Sequence, residues 1–397
     1  MYKKISLIIT LITSLFVACC QQGQGTEQSQ DAEAFQFPYS RTWKYAIVTT
    51  AATDYSSGAH SVMGYSSPRT AVNNLLSTGS DLWISAYNKN FYRIEAYATN
   101  SIIKFSMSNP VLPVWNFSTE GSENNSNPHE MVFVSDTKAY LIRYGSPKVW
   151  IVNPSATVES EFKIGELNLS AYNDSDGCPE VASGLIIGDE LFLAMQRLSP
   201  SGGFPMAPVN DAYVAVFDTN TDLEIDTNLG VGLKGIRLDV RNPFAKIKHY
   251  GNYIYIAGAD GTLANANVPI KGGIQKIDIT TLQADPNIIE PTAQITGLEI
   301  ISNTNGYFIE YDAFNDCSLR KFNPQTGYVY PGNVANIGNT GDRNLQSIIK
   351  DDDNLLWIAD RSLYGSGVYI IDTANDTIQE GPISTNLDPL EITFCER

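Results

Sequence analysis

A short unit recurs along this chain, and the recurrence limits the folds open to it. Between Asn127 and Pro154 the sequence reads NPHEMVFVSDTKAYLIRYGSPKVWIVNP, three apolar runs parted by two polar turns. The middle run, AYLI at Ala139, has counterparts in LWIS at Leu82, LFLA at Leu191, YIYIA at Tyr253, YFIE at Tyr307 and LLWIA at Leu355. A turn rich in Gly, Asn or Asp precedes each, and these residues accept the positive φ angles of tight hairpins. The third run recurs as VAVFDT, IQKIDI, LRKFNP and VYIIDT. Each copy closes on an acid or amide: Asn153, Asp218, Asp278, Asn323 or Asp372. Such side chains begin turns by accepting a hydrogen bond from the backbone two positions on.

The copies lie roughly 45 to 65 residues apart, each with three or four short strands rich in Val, Ile, Tyr and Trp and no long helical pattern. One such sheet cannot bury both of its faces. Stacking copies around an axis does so and leaves only short edges. The expected fold class is therefore all-β, a β-propeller. Six middle runs give six blades, and the termini supply a seventh. WKYAIVTTAATDYSSGAHSVMGY near the start parallels NLLWIADRSLYGSGVYIIDT near the end, and DPLEITFC matches only the first strand of a unit. The N- and C-terminal strands are thus expected to close one shared blade, which removes an open seam.

Ahead of the repeats, MYKKISLIITLITSLFVACC has a basic start, an apolar run and small residues before a cysteine. That is a secretory signal, too short to span a bilayer comfortably. It resembles a bacterial lipoprotein signal, with Phe16 where that family usually has an aliphatic residue. The resemblance implies cleavage after residue 18, acylation of Cys19 with palmitate-type chains and, because Cys20 rather than Asp follows, placement at the outer membrane. Residues 19–42, Gln/Gly/Ser-rich, read as a flexible tether, and residues 43–397 as the propeller.

The repeats themselves resemble the seven-bladed bacterial propellers of the YVTN-repeat type, and more closely a group of Gram-negative lipoprotein propellers. TDYSSG, NPHEMVF, LNLSAYNDSDGCPE, ELFLAMQRL, YVAVFDTNTD and GGIQKIDI carry the likeness, which covers Trp43 to Cys395. YVTN itself is replaced by YLIR, FLAM or YIAG. The resemblance implies an exported propeller and little about activity.

Charge and cysteine use narrow the function. With 26 basic and 43 acidic residues the chain carries a net charge of −17, which disfavours nucleic acid, whose phosphates need Lys and Arg. Cys20 sits beside the anchor, and far beyond it lie Cys178, Cys317 and Cys395, enough for one disulfide whose pairing the sequence does not reveal. No CxxC or Cys/His spacing points to zinc, and no CxxCH to covalent haem. GVGLKG at Gly230 matches the dinucleotide pattern, but the extended IRLDVRNPF that follows favours a loop.

NDSDGCPE is the most distinctive polar loop. Asp174, Asp176 and Glu180 are hard oxygen ligands suited to calcium, although the EF-hand pattern fails. Innermost-strand starts and the loops between second and third strands share one rim of a propeller. That rim is expected to gather His129, Glu130, Gln196, Arg197, Asn242, Asp260, Arg343, Asp360 and Arg361 beside the acidic loop. The long insertions at Arg197–Asp211 and Gly258–Gly273 add Phe204 and Met206, suited to a protein or glycan contact.

The reading is a non-catalytic, surface- or periplasm-exposed binding module, monomeric, held to the membrane by its N-terminal lipid alone, with an envelope protein or glycan as partner. An exported lyase or hydrolase working at the rim is the alternative, with His129 and Glu130 beside arginine as its acid/base set. A structural component of a surface layer or of an electron-transfer assembly is the third.

Overall fold

The computed structural model of the protein describes residues 35–397 except 123–124, 200–207, 260–270, 314 and 338–341. Among the described residues, three single-turn 3₁₀ helices are the only helical elements. The strands fall into seven antiparallel sheets, one per blade of a β-propeller.

Blade 1 runs from the inside outward as Asp388–Glu396, Lys44–Ala51, Gly58–Gly64 and Ala71–Thr78. The C-terminal strand pairs with Lys44–Ala51 from Lys44↔Glu396 to Ala51↔Asp388, so the two termini close one blade as the sequence implies. Blade 2 is Leu82–Tyr87, Asn90–Glu95, Ser101–Ser106 and Asn109–Ser118; blade 3 is Pro128–Ser135, Lys138–Arg143, Lys148–Val152 and Lys163–Asn168. Blade 4 begins Val181–Ile187, Glu190–Met195 and Tyr213–Asp218, and its outer edge is shared by Leu223–Glu224 and Ile236–Arg237. Blades 5 and 6 have three strands each: Lys248–Tyr250, Tyr253–Gly258 and Gly273–Asp278, then Ile295–Ile300, Gly306–Ala313 and Asp316–Phe322. Isolated bridges such as Ile274↔Ile289 and Phe322↔Val329 stand in for their fourth strands. Blade 7 is Leu345–Lys350, Leu356–Asp360, Gly367–Asp372 and Thr377–Ile383.

Strand alternation explains the ring. Along Lys138–Arg143, Tyr140 and Ile142 pack with Leu191 and Leu193 of blade 4, while Ala139 and Leu141 pack with Tyr92 and Ile94 of blade 2. Each of seven apolar clusters joins two neighbouring blades in the same way, the last linking Trp357 and Ile370 of blade 7 to Val48 and Ile392 of blade 1. Second strands buried on both faces are largely apolar, hence the runs YLI, LFLA and YIYIA, and the charges they do bury are partnered, as Arg93 is by Glu95. Each fully buried aliphatic or aromatic side chain there contributes about 1.5–3 kcal/mol.

The closing acids and amides behave as their chemistry requires. Asp218 Oδ1 accepts from the N–H of Asn220 at 2.9 Å and of Thr221 at 2.8 Å. Asp278, Asn323, Asp372 and Asn153 repeat the motif. The turns before the second strands use left-handed residues, Gly251 at φ 59° and Asn354 at φ 62° among them.

Two expectations are corrected. Leu82–Tyr87 is not a middle run but the innermost strand of blade 2, whose second strand is Asn90–Glu95. The turn ahead of Leu82 passes between blades, and both strand classes are apolar enough to be confused. Among the described residues the three cysteines, Cys178, Cys317 and Cys395, are free thiols. They belong to separate parts of the ring: Cys178 precedes blade 4, Cys317 sits in blade 6 and Cys395 in blade 1. Phe35 and Phe37, from the segment read as tether, pack against the blade 1–2 core.

Candidate functional site

The innermost strands face the propeller axis, so their exposed side chains meet in a channel. A cavity of about 390 Å³ opens there, lined from blades 1, 2, 5, 6 and 7. That volume falls within the usual range of small-molecule sites. Leu82, Leu298, Ile348 and Leu390 form apolar wall, and Tyr55 and Phe244 stand at the rim-side mouth, 53% and 46% exposed.

Charge in the channel is arranged in closed circuits. Lys246, on the segment leading into blade 5, reaches across to two other blades. It pairs with Glu391 of blade 1 and lies 3.3 Å from Glu130 of blade 3. Burial works against its charge, but the two carboxylates hold its pKa above the usual lysine range. Burial also pushes Glu391 up, against the pull of Lys246. Lys248, on the same strand face two residues on, pairs with Glu299 of blade 6 at 2.8 Å.

The carboxylates have a second duty. Glu391 Oε2 accepts from the N–H of Ile84 in blade 2 at 2.8 Å, and Glu130 Oε2 from that of Gly184 in blade 4 at 2.9 Å. Glu299 accepts from Lys350 N of blade 7 at 3.3 Å, and the hydroxyls of Ser85 and Ser183 do likewise for Met131 and Ile247. An inner-strand side chain thus satisfies an N–H in, or immediately before, the inner strand of the next blade at five of the seven seams. Backbone donors at a seam have no strand partner, and a side-chain acceptor removes that cost.

Sequence reasoning found Glu130 and missed its counterparts Glu299 and Glu391, and Lys246. The signal was present: PHEM, GLEI and PLEI place a glutamate in the same setting in three innermost strands. Lys246 and Lys248 alternate onto one face in AKIKHY.

His129 is stacked between Trp83 and Tyr144, with ring centroids 4.4 and 4.3 Å away. Burial, then the charge of Lys246, lowers its pKa to about 3, so the imidazole is neutral. Tyr144 donates to Gln196 Oε1 at 2.6 Å. The other histidines lie elsewhere, His60 buried against Pro110 O and His249 exposed beside Gly251 O.

The acidic loop converges. Ligand oxygens of Asp174, Asp176 and Glu180 lie within 4.8 Å of one another, a spacing a hard cation can bridge. Asp174 also accepts from Asn210 Nδ2 at 2.9 Å, and Asp176 from Cys178 N at 2.9 Å. Glu180 accepts from Leu198 N at 2.8 Å, and burial raises its pKa to about 8. Arg197 braces the loop, donating to Tyr172 O at 2.8 Å and Asp211 O at 3.0 Å. Asn242 donates to Ala259 O at 3.0 Å. Arg343 pairs at 2.6 Å with Asp360, itself fully buried and bonded to Ser362. Arg361 lines the cavity, its guanidinium 4.3 Å from the Tyr55 ring centroid. Phe204, Met206 and Asp260 lie outside the described residues. GVGLKG lies between Leu223–Glu224 and Ile236–Arg237 without a following helix, as the loop reading requires.

Fold and channel define a seven-bladed β-propeller with a cavity on its axis. No family model matches the chain, and no curated protein matches it in sequence. Solved structures do match. One, from Bacteroides uniformis ATCC 8492, carries a provisional assignment as a 6-phosphogluconolactonase. It aligns with TM-score 0.57 and 11% identity over 88% of this chain and 99% of that one. A protein from Bacteroides fragilis NCTC 9343 with the same provisional assignment gives 0.55 and 10% over 88% and 98%. AztD from Citrobacter koseri gives 0.49 and 10% over 88% and 98%. At such identities the likeness is one of fold.

Proposed function

We propose that the chain is an exported propeller, anchored through lipid on Cys19 at the outer membrane, that binds a ligand at the rim-side mouth of its axial channel without transforming it. The observation that carries the binding reading is the 390 Å³ cavity, which opens between exposed aromatic residues and keeps buried polar atoms without partners. The rim groups suited to acid/base work are engaged elsewhere. His129 is held between two rings with no carboxylate bonded to it among the described residues, and Glu130 is spent on Lys246 and the Gly184 N–H. Asp360 is closed off by Arg343 and Ser362. The address rests on the sequence around Cys19, and no helix among the described residues is long and apolar enough to cross a membrane. An envelope protein or glycan presenting a small group to the channel mouth is the partner this geometry suits.

The test is fractionation of cells expressing the full chain, followed by affinity capture from envelope extracts with the acylated protein as bait. Wild type is expected with the outer membrane and Cys19→Ser in the soluble fraction without lipid label. Continued labelling of Cys19→Ser overturns the anchor. Conversion of the captured ligand to product overturns the non-catalytic reading.

A further inference from the structure

The polar atoms of the axial cavity state what it lacks. Four of its lining residues carry a buried side-chain atom with no hydrogen-bond partner: Trp83 Nε1, Thr296 Oγ1, Ser347 Oγ and Arg361 Nε. A buried donor or acceptor left in that state is unfavourable, and native proteins rarely gather several in one place without a ligand or solvent to meet them. The four come from different parts of the ring: the innermost strands of blades 2, 6 and 7, and the loop between the second and third strands of blade 7.

The charged groups select the ligand further. Lys246 and Lys248 are neutralised by Glu391, Glu130 and Glu299. Arg361 is different. It is only 6% exposed, its Nη2 donates to Ala52 O at 3.2 Å, and it pairs loosely at 3.9 Å with Asp388, a carboxylate already engaged by Thr53 and Ser366. Tyr55 covers one face of the guanidinium, leaving Nε for an acceptor. One anionic group fits that position. A second is disfavoured by Asp81 and Glu391 in the lining and by the net charge of −17. The remaining donors ask for neutral oxygens spread over the ligand, and the apolar wall for a compact carbon body.

We propose that this cavity binds an oxygen-rich monocarboxylate of sugar-acid size, held by the Trp83 indole N–H, the Thr296 and Ser347 hydroxyls and the Arg361 guanidinium. The proposal rests on reading the cavity as the binding site and names what enters it. Arg361 takes the carboxylate by a charge-assisted bond, and Trp83 and the two hydroxyls read ring oxygens and hydroxyls. Tyr55 and Phe244 flank the approach with flat apolar surface.

The experiment is calorimetric titration of the full chain in detergent with galacturonate, galactose and benzoate. Galactose keeps the hydroxyls and lacks the carboxylate; benzoate keeps the carboxylate and lacks the hydroxyls. Galacturonate is expected to bind at least about tenfold more tightly than either. Thr296→Val and Ser347→Ala each remove an atom with no internal partner, so their melting temperatures should match wild type; Trp83→Phe also trims the ring stacked on His129 and is expected to melt somewhat lower while remaining folded. Galacturonate binding should weaken about tenfold in Trp83→Phe and in Arg361→Lys. Equal affinity for galactose and galacturonate overturns the carboxylate assignment. Wild-type affinity in Trp83→Phe and Ser347→Ala overturns the site. If none of the probes binds while envelope capture succeeds, the ligand class is wrong and the binding module stands; turnover of a probe removes the module reading itself.

Discussion

Replacing Lys246 with Met cuts the tie across the channel. Lys246 serves two carboxylates from different blades, and Glu391 is only 7% exposed. Without the ammonium, Glu391 keeps one backbone N–H, that of Ile84, and faces Glu130 across the gap. Breaking a buried pair from one side costs about 3–5 kcal/mol, because the surviving charge is stranded. The Lys246 side chain retains 35% of its exposure, so the lower end, about 3 kcal/mol, is expected. Adding Glu391→Gln removes the stranded charge and should recover more than half of that loss. The assay is urea denaturation of wild type, both single variants and the double variant at pH 7, with the coupling energy taken from the cycle. The deficit of Lys246→Met should shrink as pH falls and Glu391 takes up a proton. A loss under about 1 kcal/mol in Lys246→Met, or a double variant no more stable than that single, refutes the tie.

Deleting the chain from Pro389 onward removes the inner strand of blade 1 and strips the pairing of Lys44–Ala51; at about 1–3 kcal/mol per orphaned buried group this exceeds the usual 5–15 kcal/mol of stability, and circular dichroism should find no cooperative melt. Glu180, its pKa raised to about 8 by burial, is protonated in the fold at pH 7 and ionised in the unfolded chain. Its contribution is full below about pH 4.5 and lost as pH rises through about 8, so urea midpoints of wild type should fall across that window and Glu180→Gln should flatten the slope. Asn323→Ala loses bonds to the N–H groups of Gln325 and Thr326 and should cost about 1 kcal/mol in thermal melts, whereas Asn323→Asp keeps them and should not.

The ring was legible because its physics is local. A second strand buried on both faces must be largely apolar, and a turn that closes with an Asx side chain must carry Asp or Asn, so both print a mark on every copy. The same logic failed at Leu82–Tyr87, where an innermost strand is as apolar as a second strand and only pairing separates them. The site was less legible because its bonds are not local. Glu391 meets Lys246 and Ile84 across the axis, and no stretch of sequence contains more than one of these partners. Glu130 drew notice through its neighbour His129, and its structural duty toward Gly184 emerged only from the seam it spans. Among the described residues, Arg361 is the one of the sequence-selected rim residues that lines the cavity.

The seam bonds bear on what the channel can hold. A ring of separate sheets meets at its axis through inner strands whose neighbours are not hydrogen-bonded to them, so acceptors must come from side chains. Serine serves two of these seams without charge, whereas glutamate brings a charge into a confined space at three, and Lys246 and Lys248 answer it. Once those circuits close, the cations of blade 5 have little left to offer a ligand. Recognition then falls to atoms the seams do not use: the Trp83 indole N–H, two hydroxyls and Nε of Arg361. Scaffold and site share the same strands yet, Trp83 apart, draw on different residues. Changes at Thr296 or Ser347 should therefore alter binding with little effect on folding, and changes at Glu391 or Glu299 should weaken the ring before they alter what it binds.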